Sequence, residues 1–207
     1  MPPSVIPVLD TGIFILEIVG HPSTGSGTTT MTNIIVEKSF LWKYYASMKK
    51  TNEMRILDGL NIPYETAEYE DDGEHELAKG AALIMSQKLG VPPETVFKTI
   101  VMRTETKEIC VFCQCATDEI NLKKARQAAG CKEINPVRPE ELLALTGYIR
   151  GGCTPIGMKK KFRTFIDEQI ILHEKVCISG GQRGVQIKIA PDDLIKATDA
   201  TVLDLCL

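Results

Sequence analysis

From Thr51 onward glycine and proline cut the chain into short pieces, and this punctuation limits the fold more than any other feature. Gly90, Gly130 and Gly147 each follow a run with helical spacing of apolar residues, where a helix ends most easily on a residue that tolerates a left-handed backbone. The spacing predicts helices over 52–60, 77–89, 118–129, 139–145 and 191–198. Their inward residues are expected to be Met54, Leu57 and Leu60, then Leu77, Ala81, Ile84, Met85 and Leu89, then Leu122, Ala125 and Ala129. Asp118 is the expected cap of the third, and Pro191 takes the tolerated first position of the last. Strands are expected over 62–69, 95–102, 108–115, 176–179 and 185–189. Arg103–Lys107 and Gly180–Gly184 read as hairpin turns, and Asp71–Glu76 as an acidic turn. Strands and helices do not alternate strictly, and hairpins dominate. The pattern therefore predicts an α+β fold with a mixed, curved sheet rather than a doubly wound nucleotide fold.

Residues 1–48 differ from the rest. An apolar run over Val5–Val19 is followed by a Pro/Gly/Ser/Thr stretch, His21–Thr30, with the composition of a loop or linker. Ile34–Val36 and the aromatics Phe40, Trp42, Tyr44 and Tyr45 come next. The segment reads as a flexible or dispensable extension ahead of Met48, with a partner-binding arm docking through its aromatics as the other reading.

The chain has 207 residues, enough for one domain with a sizeable core and an appendage. A net charge of −3 argues against a nucleic-acid coat protein and leaves room for a local cationic patch. No run reaches the roughly 20 apolar residues of a membrane span, and no basic n-region precedes the first apolar stretch. Cytoplasmic localisation with reduced thiols is the expectation for the seven cysteines.

Three segments could carry chemistry. In Val96-Phe97-Lys98-Thr99-Ile100-Val101, alternation puts Lys98 on the opposite sheet face from Phe97 and Thr99. A lysine in so apolar a strand either finds a partner for its charge or guards an exposed edge. Gly151-Gly152, within Thr146–Gly157, permit close backbone approach and can aim N–H groups at a developing oxyanion. Lys159, Lys160 and Lys161 follow as a candidate cationic rim for phosphates. Ser179-Gly180-Gly181-Gln182-Arg183-Gly184 matches neither the G-x-G-x-x-G nor the P-loop pattern and fits a turn between strands. In a strand Cys110 faces away from Cys113 and Cys115. No second C-x-x-C or nearby histidine pair completes a ligand set, so the three read as core residues and neither a metal nor a cofactor is expected. Cys153 has no histidine near it in sequence to activate it.

In this order, Val96–Thr99, Thr146–Tyr148, Gly151–Lys160 and Ser179–Gly181 resemble the YbaK/EbsC family, over roughly Lys49 to Leu207. Relatives of that family include the editing domain inserted in bacterial prolyl-tRNA synthetases. The resemblance implies a strongly curved mixed sheet or barrel flanked by helices. It also implies removal of a wrong amino acid from tRNA, with Cys-tRNA(Pro) the leading substrate and prolyl-tRNA synthetase a possible partner. Lys98 matches the family's essential lysine, Gly151 and Gly152 its glycine loop, and Tyr69, Thr99, Ser179 and Gly180 its pocket positions. Gln186 stands where some members carry aspartate, and Arg163 where proline is usual. A tRNA- or synthetase-binding module of the same fold with weak catalysis is the alternative. Removal of residues 1–47 is expected to leave deacylation of charged tRNA at the full-length rate; a large loss of turnover would assign the segment a working part.

Overall fold

The described residues of the chain, a computed structural model, are 4–7, 13–19, 31–37, 50–69 and 81–207, with side chains for 50–69 and 84–207. The chain divides into two compact units, Met1–Lys50 and Thr51–Leu207. In the first, β1 (Ser4–Pro7), β2 (Ile13–Val19) and β3 (Met31–Glu37) form an antiparallel meander with β2 in the middle. Ile6, Ile15 and Ile35 stand at one level across it, a β-branched row of the kind that favours pleated backbone. The expected linker at 21–30 and the aromatic cluster lie outside the described residues, as does the acidic turn at 71–76.

The second unit opens on α1 (Asn52–Gly59), whose N-cap Thr51 accepts a hydrogen bond from the Met54 N–H. Met54 and Leu57 are buried, but Leu60 is 47% exposed, contrary to expectation. Leu60 forms the C-cap just before Asn61 turns the chain at φ 55°, and Ile62 fills the core in its place. β4 (Glu65–Glu68) is shorter than the expected strand. α2 (Ala81–Leu89) ends at Gly90, which has φ +63°.

β5 (Phe97–Thr104) and β6 (Ile109–Cys115) form the expected antiparallel hairpin. α3 (Leu122–Ala129) is capped by Asn121, whose side chain accepts from the N–H groups of Lys123 and Lys124. Asp118 therefore is not the cap, and Leu122 at the first helical position is exposed while Ala125 and Ala129 are buried. β7 (Ile134–Pro136), α4 (Pro139–Thr146) and β8 (Arg163–Asp167) follow. β9 (Val176–Ser179), β10 (Val185–Ile189) and α5 (Pro191–Thr198) have the expected bounds, and β11 (Thr201–Leu203) comes last.

The strands of this unit make two open sheets rather than a closed barrel: β4-β10-β9, and β11-β8-β6-β5-β7. β6–β8 and β8–β11 are parallel and the other pairs antiparallel, so the larger sheet is mixed. A single parallel bridge, Val96 to Cys177, ties β9 to the residue preceding β5. Every residue of β6 is buried, because one face packs Phe112 against Ala125, Phe165 and Leu205 while the other presents Cys113 and Cys115 to Phe97, Ile166 and Ile178. The cysteines of β6 are thus core residues divided between two apolar clusters.

Asp167, at the end of β8, is buried and accepts from the N–H of Gln169 at 3.0 Å and of Leu205 at 2.8 Å. One carboxylate thereby starts the following 3-10 turn and fixes the C-terminal segment. Asp167→Ala leaves both N–H groups without their partner and is expected to lower the unfolding free energy by about 2–4 kcal/mol, measured by urea denaturation.

Candidate active site

Lys98 on β5 lies opposite Gln114 on β6, and opposite residues of a pair share a sheet face. Two residues past the Val96–Cys177 bridge, along strands running the same way, come Lys98 and Ser179. Ser179 in turn pairs with Gln186 on β10, which pairs with Ala67 on β4. Period-two geometry therefore places Gln114, Lys98, Ser179 and Gln186 on one face across four strands.

Lys98 is half-buried rather than an exposed edge lysine. Its Nζ donates to the carbonyl of Ala116 at 3.1 Å and of Asp118 at 2.5 Å. An ammonium has three N–H donors, so one remains for a ligand. Burial pushes the amine below the ordinary lysine value, while the acidic groups around it, Cys115 first, pull the other way. Along the row, Gln114 Oε1, Ser179 Oγ and Gln186 Oε1 are buried and have no hydrogen-bond partner among the described residues. Such orphans are uncommon in folded proteins and concentrate where stability yields to function.

Of the other expected pocket residues, Tyr69 follows β4, gives its N–H to the Gly184 carbonyl, and lies beneath the Lys88 ammonium, 5.8 Å from the ring centre. Thr99 turns to the opposite face, where its hydroxyl adjoins the Cys113 thiol, so it stands outside the polar row.

The glycine loop and the hairpin turn interlock. Ser179 leads straight into Gly180–Gly184, and Arg183 Nε donates to the Arg150 carbonyl at 2.9 Å. A Cβ on Gly152 would sit 3.0 Å from Gln182 Cα, and one on Gly180 would sit 2.6 Å from Val185 Cγ1. The close approach of a second backbone thus explains Gly152, and the Val185 side chain across the hairpin explains Gly180. The Gly152 N–H is engaged by the Ile149 carbonyl, and that of Gly180 by Val185, so neither is a ready oxyanion donor. The Gly151 N–H has no acceptor among the described residues. The cationic rim is smaller than expected. Lys159 Nζ caps α4 through the carbonyls of Leu143 and Ala144, and Lys161 pairs with Asp199. Arg163 likewise has a structural part, donating to the carbonyls of Ala128 and Ala129 at the end of α3.

Glu53 was not foreseen as a site residue. It lies in the first turn of α1, a usual place for an exposed acid, yet it is fully buried. Its Oε2 would be 3.6 Å from a Cβ on Gly181, and Tyr148 and Thr51 border the same glycine. Tyr148 donates to the Ile156 carbonyl and Asn52 to the Gly157 carbonyl, which seats the start of α1 on the glycine loop. Burial pushes the Glu53 carboxyl well up, and the neighbouring Thr154 hydroxyl offsets only part of that. Glu53 is therefore a buried carboxyl between the two glycine segments, with its charged form disfavoured. Burial pushes the Cys153 thiol up to about 12, the opposite of the shift that activates a nucleophilic cysteine. His173 packs edge-on against Phe97, with centroids 6.2 Å apart.

The model of the aminoacyl-tRNA editing domain matches residues 77–197. EbsC of Enterococcus faecalis, named for deacylation of Cys-tRNA(Pro) and Cys-tRNA(Cys), is 33% identical over 159 residues, 77% of this chain and 94% of its own. The proline–tRNA ligase of Acidithiobacillus ferrooxidans is 28% identical over 112 residues, which cover 54% of this chain and 19% of the ligase. Among solved structures, one named for trans-editing with prolyl-tRNA synthetase superposes with a TM-score of 0.63 at 22% identity, covering 76% of this chain and 98% of that one. The chain belongs to the aminoacyl-tRNA editing domain family.

A carboxyl whose folded pKa is raised keeps its proton above pH 4.5, where the unfolded chain releases it, so stability falls as pH rises through that window. Glu53→Gln mimics the neutral acid and is expected to remove this loss. Its melting midpoint should exceed that of the wild type at pH 8 by several degrees, with the gap closing towards pH 4.

Proposed function

We propose that this chain hydrolyses the ester of a mischarged aminoacyl-tRNA in trans, with Cys-tRNA(Pro) as its leading substrate. Membership of the editing family supports the reaction, and the relation to EbsC supports the substrate. The observation that carries the reading is the Lys98 amine, half-buried on two backbone carbonyls with one N–H to spare. The editing unit spans residues 49–207 in this reading, and its place of work is the cytoplasm, where tRNA is charged.

The scissile bond is an activated ester, so orientation and charge stabilisation supply most of the acceleration. Lys98 directs its remaining N–H at the ester carbonyl or a terminal phosphate, and the Gly151 N–H is the glycine-loop donor available to the developing oxyanion. The reading uses no protein nucleophile, and burial, which pushes the Cys153 thiol up to about 12, supports that for the cysteine of the glycine loop. With cysteine as the attached residue, its own sulfur attacks the carbonyl carbon and the C–O bond to the terminal ribose breaks. The ribose oxygen takes the proton the thiol gave up, and water then opens the released thiolactone. With alanine or proline, a bound water is the attacking group. Serine-charged tRNA reacts more slowly than cysteine-charged tRNA, since a hydroxyl is a much weaker nucleophile at neutral pH.

Deacylation of Cys-tRNA(Pro), Ala-tRNA(Pro) and Pro-tRNA(Pro) by the purified chain tests the reading. Hydrolysis of the first is expected; hydrolysis of none would refute it. Lys98→Ala is expected to lower the rate by about 100-fold or more with an unchanged circular dichroism spectrum. Cys153→Ser is expected to stay near the wild-type rate.

A further inference from the structure

β6 is apolar along its length except for Gln114, whose side chain is fully buried. Its Nε2 donates at 2.9 Å to the Asp118 carbonyl, the same oxygen that receives Lys98 Nζ. The Asp118 carboxylate is held in turn by Gln169 Nε2 at 3.0 Å and Thr117 Oγ1 at 3.2 Å. Asp118, which supplies one of the two carbonyls that anchor the Lys98 ammonium, is thus held at both its carbonyl and its carboxylate. Gln114 holds that carbonyl while its own Oε1 is buried with no partner among the described residues.

That arrangement is hard to explain as packing. A buried acceptor without a partner is destabilising, whereas an apolar side chain of the same shape is neutral or better. The neighbours Phe112, Cys113 and Cys115 show that the strand accommodates apolar side chains at this depth. We propose that Gln114 is a positioning residue of the editing site, aiming Lys98 by fixing the Asp118 carbonyl and retained there at the expense of stability. This rests on the deacylase reading given above.

Three outcomes are expected together for the near-isosteric Gln114→Met. With Cys-tRNA(Pro), kcat falls roughly tenfold while KM stays near the wild-type value, the size of one lost hydrogen bond to a charged system. The melting midpoint stays level or rises. In a Lys98→Ala background, single-turnover assays show no further loss, because the two residues act as one unit. An unchanged kcat overturns the proposal, as does an equal loss in the Lys98→Ala background. A fall in melting midpoint, or failure to fold, would make Gln114 a structural residue and overturn it too. If the wild type deacylates no charged tRNA, the deacylase reading fails, and Gln114 is judged by Lys98 itself. Acetylation of Lys98 by acetic anhydride, followed by mass spectrometry, is expected to speed up several-fold in Gln114→Met; an unchanged rate overturns the positioning role.

Discussion

Bringing an ammonium partly out of water is costly unless oxygens replace the lost hydration, and the candidate site is organised around that requirement at Lys98. The replacement oxygens are the carbonyls of Ala116 and Asp118, in the segment that leaves β6. β6 pairs with β5 in a register that sets Lys98 opposite Gln114, so the hairpin delivers the amine and its anchors from one supersecondary unit. The full burial of β6 between two apolar clusters holds that unit rigid. A cation fixed in this way keeps its direction before a ligand arrives, which is where electrostatic catalysis gains most.

The second element of the site is held by contact rather than charge. The Gly151–Gly152 loop lies against the Gly180–Gly184 turn so closely that a Cβ on Gly152 would press to 3.0 Å from the Gln182 backbone. The same turn continues directly from Ser179 in the polar row, so the β9 register and the Val96–Cys177 bridge connect it to the face that carries Lys98. The N-terminus of α1 completes the assembly, with Asn52 on the Gly157 carbonyl and the buried Glu53 beside Gly181. These glycines serve chiefly to let two chains meet. Of their N–H groups, those of Gly152 and Gly180 are engaged by backbone carbonyls.

Much of this was legible in the sequence because the signals were local. The β9–β10 hairpin, the β5–β6 hairpin and the glycine stops at 90, 130 and 147 all depend on residues within a few positions of one another. The opposite orientations of Lys98 and Thr99 followed from alternation alone. What stayed hidden depends on distant pairing. β8 and β11 join the larger sheet in parallel, with no turn to announce them. Lys159 looked like part of a phosphate-binding run until α4 offered it two carbonyls. Glu53 looked like an ordinary first-turn acid, and only the packing of α1 beside the glycine segments buries it. Gln114 gave one signal, a lone amide in an apolar strand, which gains meaning once Asp118 is seen to serve both it and Lys98.

The titration of the Lys98 amine tests this account most directly, followed by NMR on lysine side chains labelled at the ε carbon and assigned through Lys98→Arg. The account requires that resonance to titrate below 10.5, apart from the bulk of the lysines, because burial disfavours its charge. An amine that titrates together with the exposed lysines would mean that water, not two peptide carbonyls, surrounds it, and the site described above would lose its foundation.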